Sequence, residues 1–127
     1  MSLKNTLVRT FSQTFSKDAK KGEKISPKIA FEEIQNQKAV LVDVREESEI
    51  KIGMADSALW LATSEIEKNT QNAKTFVERL PKDKKIIIYC GAGVRAGRFA
   101  EKLSKQGYIT ANMGGFDVWK AAGLPLK

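Results

Sequence analysis

The cysteine of this chain, Cys90, stands between an apolar run and a helix-like segment, and this placement limits the possible folds. The run before it, Ile86–Tyr89, is short and apolar, which predicts a buried strand. A turn containing Gly91 and Gly93 follows, and a helical pattern begins at about Arg95. Because a strand, a short turn and a helix form the basic unit of an α/β fold, we expect Cys90 at the carboxyl end of a strand.

Strands and helices alternate through the rest of the chain as well. Apolar, β-branched runs predict strands at Ile25, 39–44, 58–61, 86–90 and 108–113. Helical spacing predicts helices over 27–37, 64–80 and 95–106, one turn within 45–49, and a short last helix after Gly114-Gly115. This alternation indicates an α/β fold with a mainly parallel sheet and right-handed crossovers. Trp60 and Trp119 are expected to pack in the core or at its rim.

The position of Cys90 suggests chemistry as well as structure. Ligands of parallel sheets bind at the carboxyl ends of the strands. The N–H groups of the turn can converge on one point, and the start of the next helix adds partial positive charge there. Both effects favour the thiolate, which is the nucleophilic form of cysteine. Arg95 lies across the loop, so we predict a nucleophilic cysteine in an anion-binding loop.

Composition excludes several classes of site. The chain has no histidine, which rules out Ser-His-Asp and Cys-His catalysis and disfavours most zinc sites. With one cysteine it cannot form an intrachain disulfide, which indicates a reducing compartment. We therefore expect no cofactor and no metal, and we expect the cytoplasm as the location.

The net charge of +7 is concentrated at the front of the chain. Residues 1–28 carry seven basic and two acidic residues, so most of the excess lies there rather than on the predicted fold. This distribution argues against a nucleic-acid interface, and no apolar run is long enough for a membrane span.

Residues 1–24 are interpreted as a basic N-terminal extension. The spacing of Leu7, Phe11 and Phe15 also fits an organelle-targeting helix, which would place the protein in an organelle matrix.

Three motifs of the chain resemble those of single-domain rhodaneses, a family of sulfurtransferases. Residues 42–45 (VDVR), followed by Glu49, are similar to its VDVR…E element. Residues 90–95 (CGAGVR) resemble its CxxGxR active loop, and Gly114-Gly115, Trp119 and 123–125 resemble its C-terminal GG…W…GxP signature. The resemblance extends over about residues 25–125, so residues 25–127 are interpreted as a rhodanese-like domain.

The chain departs from the family pattern at two places. The family has a GHIPGA-like segment after the acidic turn, whereas this chain has GMADSA at residues 53–58. Ala96 stands where the family has Ser or Thr after the arginine.

The resemblance implies a three-layer fold with a five-stranded sheet flanked by helices, and it implies sulfur transfer. Cys90 would take the outer sulfur of thiosulfate or another persulfide donor as a persulfide, then pass it to a thiol, to cyanide or to a sulfur-accepting protein. Arg95 and the loop residues Gly91, Ala92, Gly93 and Val94 would bind the substrate. Asp43 and Arg45 are assigned to structural support, with Asp43 holding loop N–H groups and Arg45 pairing with an acid such as Glu49.

Other interpretations remain open at this point. A rhodanese-like fold can serve as a non-catalytic sulfur-carrier or binding module, and Cys90 can be a buried structural cysteine. Phosphatases with a C-x5-R loop are a further alternative, but the loop from Cys90 to Arg95 is one residue shorter, which favours sulfur over phosphate. Gly91, Gly93 and Ala96 also fit a dinucleotide fingerprint, although the chain that follows is too short for the rest of that fold.

Overall fold

The computed structural model describes residues 22–127, which form a three-layer α/β fold. Its five strands are β1 (Glu23–Lys24), β2 (Ala39–Asp43), β3 (Leu59–Trp60), β4 (Lys85–Cys90) and β5 (Ile109–Gly115). Its six helices are α1 (Pro27–Gln35), α2 (Glu47–Ile50), α3 (Thr63–Lys68), α4 (Gln71–Glu78), α5 (Val94–Lys105) and α6 (Phe116–Ala121). The targeting helix considered for the N-terminal extension lies outside the described residues.

The strands form one sheet in the order β1-β5-β4-β2-β3, and each neighbouring pair is parallel. The predicted parallel α/β fold is therefore confirmed, and β4 lies at the centre of the sheet. The first strand is Glu23–Lys24 rather than Ile25, although the N–H of Ile25 still bonds to the carbonyl of Asn112 at 3.1 Å. The division of the chain between residues 24 and 25 stays a prediction.

Each face of the sheet packs against its own helices. Successive side chains of a strand point to opposite faces, so Ile86, Ile88 and Cys90 lie in the same core as α5. Ile87 and Tyr89 point the other way, toward α1 and α6. Two apolar cores on a central sheet give the three layers that the family resemblance implied. Trp119 is fully buried and Trp60 lies at the rim with 37% of its surface exposed, as predicted.

The single helix predicted over residues 64–80 is wrong, because the segment is divided into α3 and α4. Asn69 ends α3 in the left-handed conformation, with φ of 53°, which asparagine adopts at modest cost. Thr70 then caps α4, and its Oγ1 accepts the N–H of Ala73 at 3.1 Å. The apolar spacing continues across this break, and for that reason periodicity alone suggested one helix.

No helix within residues 22–127 is long and apolar enough to cross a membrane.

The cap of α4 gives a test of this local structure. Replacing Thr70 with alanine removes the acceptor for the N–H of Ala73, and we expect the free energy of unfolding to fall by about 1 kcal/mol. Thr70→Ser keeps the hydroxyl and serves as the control. Urea denaturation measures both variants, and equal stabilities would contradict the role of this cap.

Candidate active site

Cys90 is the last residue of the central strand, and 1% of its surface is exposed. Its side chain follows Ile86 and Ile88 onto the face that α5 covers. This burial agrees with the alternative interpretation of Cys90 as a buried structural cysteine. Its polar contacts, however, are not those of a cysteine packed only among aliphatic groups.

The sulfur of Cys90 accepts hydrogen bonds from the backbone at the start of α5. The N–H of Gly93 lies 3.0 Å from Sγ and the N–H of Ala96 lies 3.4 Å from it. The first N–H groups of a helix have no partner within the helix, and Gly93, the N-cap, has no side chain to supply one. Sγ therefore takes the place of a capping oxygen. The N–H groups of the turn were predicted to converge here; Gly93 belongs to that turn, whereas Ala96 lies within α5.

Asn112 fixes the conformation of the loop at Gly93. Gly93 has φ of 104°, a value that favours glycine because it lacks a Cβ atom. The Asn112 amide donates to the carbonyl of Gly93 at 2.9 Å and accepts the N–H of Gly114 at 2.9 Å. The pairing of β4 with β5 shifts between Ile88 and Tyr89, just beyond Asn112. Asn112 was not predicted from the sequence, although a polar residue inside an apolar strand could have indicated its role.

Gly115 leaves room for the other end of the loop. It pairs with Cys90 across the sheet, and a methyl group at this position would collide with the carbonyl oxygen of Gly91. The φ of Gly115 is −128°, which any residue can adopt, so the constraint is steric rather than conformational. The GG pair was noticed as a motif, but the contact that explains it appears only in the structure.

Arg95 forms a two-pronged ion pair with Glu49 across the rim of the loop. Its two terminal nitrogens lie 2.7 and 3.0 Å from the two carboxylate oxygens. Hydrogen bonding from Arg95 lowers the pKa of Glu49 to about 2, against its ordinary value of 4.5. The same hydrogen bonds raise the pKa of Arg95. The anionic partner of Arg95 in this structure is a side chain of α2, and the binding of a substrate anion by Arg95 stays a prediction.

Arg45 pairs with an acid, as predicted, but that acid is not Glu49. Its guanidinium binds Asp43 instead, with Nη2 at 2.9 Å and Nε at 3.1 Å from the carboxylate, and it touches Glu49 only through the backbone carbonyl. Arg45 also lies 4.2 Å from the ring centre of Phe116. Burial alone would lower the pKa of Arg45, but the hydrogen bonds and charge of Asp43 raise it overall.

Asp43 and Arg45 are both buried, with 0% and 3% of their surfaces exposed. Asp43 accepts the backbone N–H of Arg45 at 2.8 Å, as expected for a residue that holds loop N–H groups. A buried charge pair with this many hydrogen bonds orders the backbone after β2. The burial of both side chains fits the structural role predicted for Asp43 and Arg45.

The altered segment at residues 53–58 is held by bonds to the rest of the fold. Arg45 donates to the carbonyl of Gly53 at 2.7 Å, and the N–H of Ala55 bonds to the Tyr89 hydroxyl at 3.1 Å. Burial is the largest of the causes that raise the pKa of Tyr89. Met54 exchanges two backbone hydrogen bonds with Lys127. The C-terminal residues thus fix a segment that lacks the family's histidine and proline.

The site as a whole suits a negatively charged sulfur. Two backbone N–H groups point at Sγ, and the start of α5 adds partial positive charge. Within residues 22–127, no group of three or more His, Cys, Asp or Glu side chains is placed to hold a metal ion.

Comparison with known proteins gives a consistent result. Residues 26–122 match the Rhodanese-like domain family. The thiosulfate sulfurtransferase GlpE of Actinobacillus succinogenes is 31% identical over 105 residues, which are 81% of this chain and 88% of that protein.

Solved structures are similar over most of the described fold. The rhodanese-related protein from Thermoplasma volcanium has a TM-score of 0.68 and 26% identity, and the match covers 83% of this chain and 97% of that one. Reduced Bacillus anthracis CoADR-RHD has a TM-score of 0.64 and 28% identity over 77% of this chain. The chain spans only 16% of that larger protein.

The contact between Gly115 and Gly91 can be tested by substitution. Gly115→Ala places a methyl group against the Gly91 carbonyl, and we expect a loss of about 2–3 kcal/mol in the free energy of unfolding. Gly114→Ala is the matched control: it has a positive φ of 95° but open space around the new methyl group, so about 1 kcal/mol is expected. Chemical denaturation compares them, and equal losses would show that the steric contact does not matter.

The ion pair between Glu49 and Arg95 predicts a dependence of stability on pH. Because the pKa of Glu49 is lowered from 4.5 to about 2, the pair stabilises the fold fully above about pH 4.5. This stabilisation is lost as the pH falls toward 2. The side chains of Arg95 and Glu49 are 26% and 36% exposed, so solvent screening reduces the stabilisation by this pair to about 1 kcal/mol.

The variant Glu49→Gln should lose this part of the acid dependence, whereas Glu47→Gln, at an exposed position of the same turn, should retain it. Urea denaturation at several pH values measures the slope. An unchanged slope in Glu49→Gln would contradict the assignment.

Proposed function

The chain belongs to the rhodanese family, and on that premise we propose that it is a sulfurtransferase that works through a persulfide on Cys90. The observation that carries the proposal is the environment of Sγ, which accepts hydrogen bonds from the N–H groups of Gly93 and Ala96. Hydrogen bonds to a charged form stabilise that form. The same donors can hold the thiolate before the reaction and the bound sulfur after it.

The first step transfers sulfur from the donor to the enzyme. The Cys90 thiolate attacks the outer sulfur of thiosulfate, a new S–S bond forms, and the S–S bond of thiosulfate breaks. Its electron pair leaves on sulfite, and the enzyme keeps a negatively charged persulfide. The reaction balances without a cofactor or a general acid, which agrees with a chain that has no histidine.

The second step returns the enzyme to its starting state. An accepting thiolate or cyanide attacks the terminal sulfur, and the bond between that sulfur and Sγ breaks. The electron pair stays on Sγ, so the Cys90 thiolate is regenerated. The chain contains no second cysteine and therefore cannot release the sulfur by forming an internal disulfide; the acceptor has to come from outside.

The loop provides the substrate-binding groups of this proposal. We assign substrate binding to the loop residues Gly91, Ala92, Gly93 and Val94, of which Gly93 directs its N–H at Sγ at 3.0 Å. Arg95 uses two terminal nitrogens on Glu49, but a guanidinium has five N–H donors. Those that remain can bind a sulfonate oxygen of the donor.

We place this activity in the cytoplasm, because the single cysteine has to stay reduced between turnovers.

Mass spectrometry tests the persulfide directly. Treating the protein with thiosulfate should add one sulfur, about 32 Da, and cyanide should remove it. Cys90→Ser is the control and should gain nothing. Its side chain is nearly isosteric, so its fold and stability should match those of the parent.

Other outcomes would overturn the proposal in distinguishable ways. A folded wild-type protein that gains no sulfur would be a binding module rather than an enzyme. Efficient hydrolysis of an aryl phosphate that depends on Cys90 would instead identify a phosphatase.

A further inference from the structure

A groove runs along the outer side of the active loop. Its first part has a volume of about 420 Å³ and is lined by residues that include Lys24, Ala92, Gly93, Val94 and Asn112. A second part of about 350 Å³ shares four of these residues, Lys24, Gly93, Val94 and Asn112, and extends along α5 to Arg98. We call the two parts together the loop-side groove.

The loop-side groove is close to the reacting sulfur. Gly93 forms part of its wall, and the N–H of the same residue lies 3.0 Å from Sγ. The groove is much larger than thiosulfate or cyanide requires. Its size and position therefore suit a longer molecule that has to bring one group to the mouth of the loop.

The apolar part of the groove is open to solvent. Val94 is 66% exposed at the first position of α5. Ala92 is exposed beside it, while Ile25 is half-buried and Met113 is buried. The exposed side chain of Val94 is not among the groups that bond to Sγ, and apolar surface of this kind is common where a partner binds.

The charged residues around the groove have an excess of positive charge. Lys24 and Arg98 form no ion pair with any residue that the structure describes. Glu101, on the same groove, lies 4.0 Å from Lys105. Arg95 is neutralised by Glu49. The free charge beside the loop therefore comes from Lys24 and Arg98.

We propose that the loop-side groove docks an acidic, partly apolar segment of a protein that carries the accepting thiol. The proposal rests on the proposed function, since it identifies the class of acceptor for the Cys90 persulfide. Acidic residues would pair with Lys24 and Arg98, and an apolar side chain would cover Val94. Opposite charges steer such a partner to the groove and orient it, which brings its thiol to the terminal sulfur.

A binding experiment tests the groove separately from the sulfur chemistry. The probe is a synthetic peptide of about twelve residues that contains glutamate and leucine, labelled with fluorescein, and the protein is Cys90→Ser. Fluorescence anisotropy should detect binding that weakens as salt is raised, because ions screen exposed charges. A peptide with lysine in place of glutamate should bind at least about tenfold more weakly.

Charge reversal identifies the surface that binds. The double variant Lys24→Glu/Arg98→Glu should weaken binding of the acidic peptide at least about tenfold and should favour the basic peptide. Lys28→Glu/Lys38→Glu makes the same change of charge at exposed positions that do not line the groove and should bind like the parent. If the first variant does not fold, Lys24→Gln/Arg98→Gln replaces it, with a smaller loss expected.

Sulfur transfer then connects the groove to the reaction. With Cys90 intact and a cysteine in each peptide, single-turnover mass spectrometry should show faster transfer to the acidic peptide, and charge reversal should remove this preference. Loading by thiosulfate and removal by cyanide should not change in the charge-reversed protein.

The outcomes separate the two proposals. Equal binding of acidic and basic peptides, or an equal loss in the Lys28/Lys38 control, would overturn the docking surface while leaving the persulfide intact. Selective binding without sulfur loading would support the docking surface and overturn the proposed reaction.

Discussion

The site depends on one interaction, in which the sulfur of Cys90 accepts hydrogen bonds from the N–H groups at the start of α5. The first N–H groups of α5 have no acceptor within the helix, and Gly93, its N-cap, has no side chain to provide one. Sγ fills that role at 3.0 Å from Gly93 and 3.4 Å from Ala96. Sγ thus completes the start of α5, and in the proposed reaction the same N–H groups hold the negatively charged sulfur. Structure and chemistry use the same hydrogen bonds.

Three contacts from outside the loop keep this arrangement in place. The Asn112 side chain holds the carbonyl of Gly93, and Gly115 leaves space for the carbonyl of Gly91. Glu49 binds Arg95 with both carboxylate oxygens. These contacts come from β5 and α2, so the loop is fixed from both sides. For the proposed reaction, this means that the N–H donors of the loop are preorganised and that little entropy is lost when the donor binds.

The two proposals divide the surface around the loop between two tasks. The inner face, toward Sγ, carries backbone donors and suits a small sulfur-containing anion. The outer face carries exposed Val94 with Lys24 and Arg98 nearby, and it suits a larger acidic partner. Gly93 belongs to both faces. Because Glu49 neutralises Arg95, the attraction for a partner originates on the outer face rather than at the rim of the loop.

The sequence alone determined the α/β order, the central strand and the placement of Cys90 at its end, because these follow from local patterns of apolar residues, glycines and prolines. It did not separate α3 from α4, since the apolar period continues across Asn69 and only the backbone shows the break. Tertiary structure decided the partners: Glu49 for Arg95, Asp43 for Arg45, and Asn112 for the loop. Pairs of this kind depend on strand register and on distances between residues far apart in the chain. Periodicity contains no information about those distances, and the folded sheet sets them.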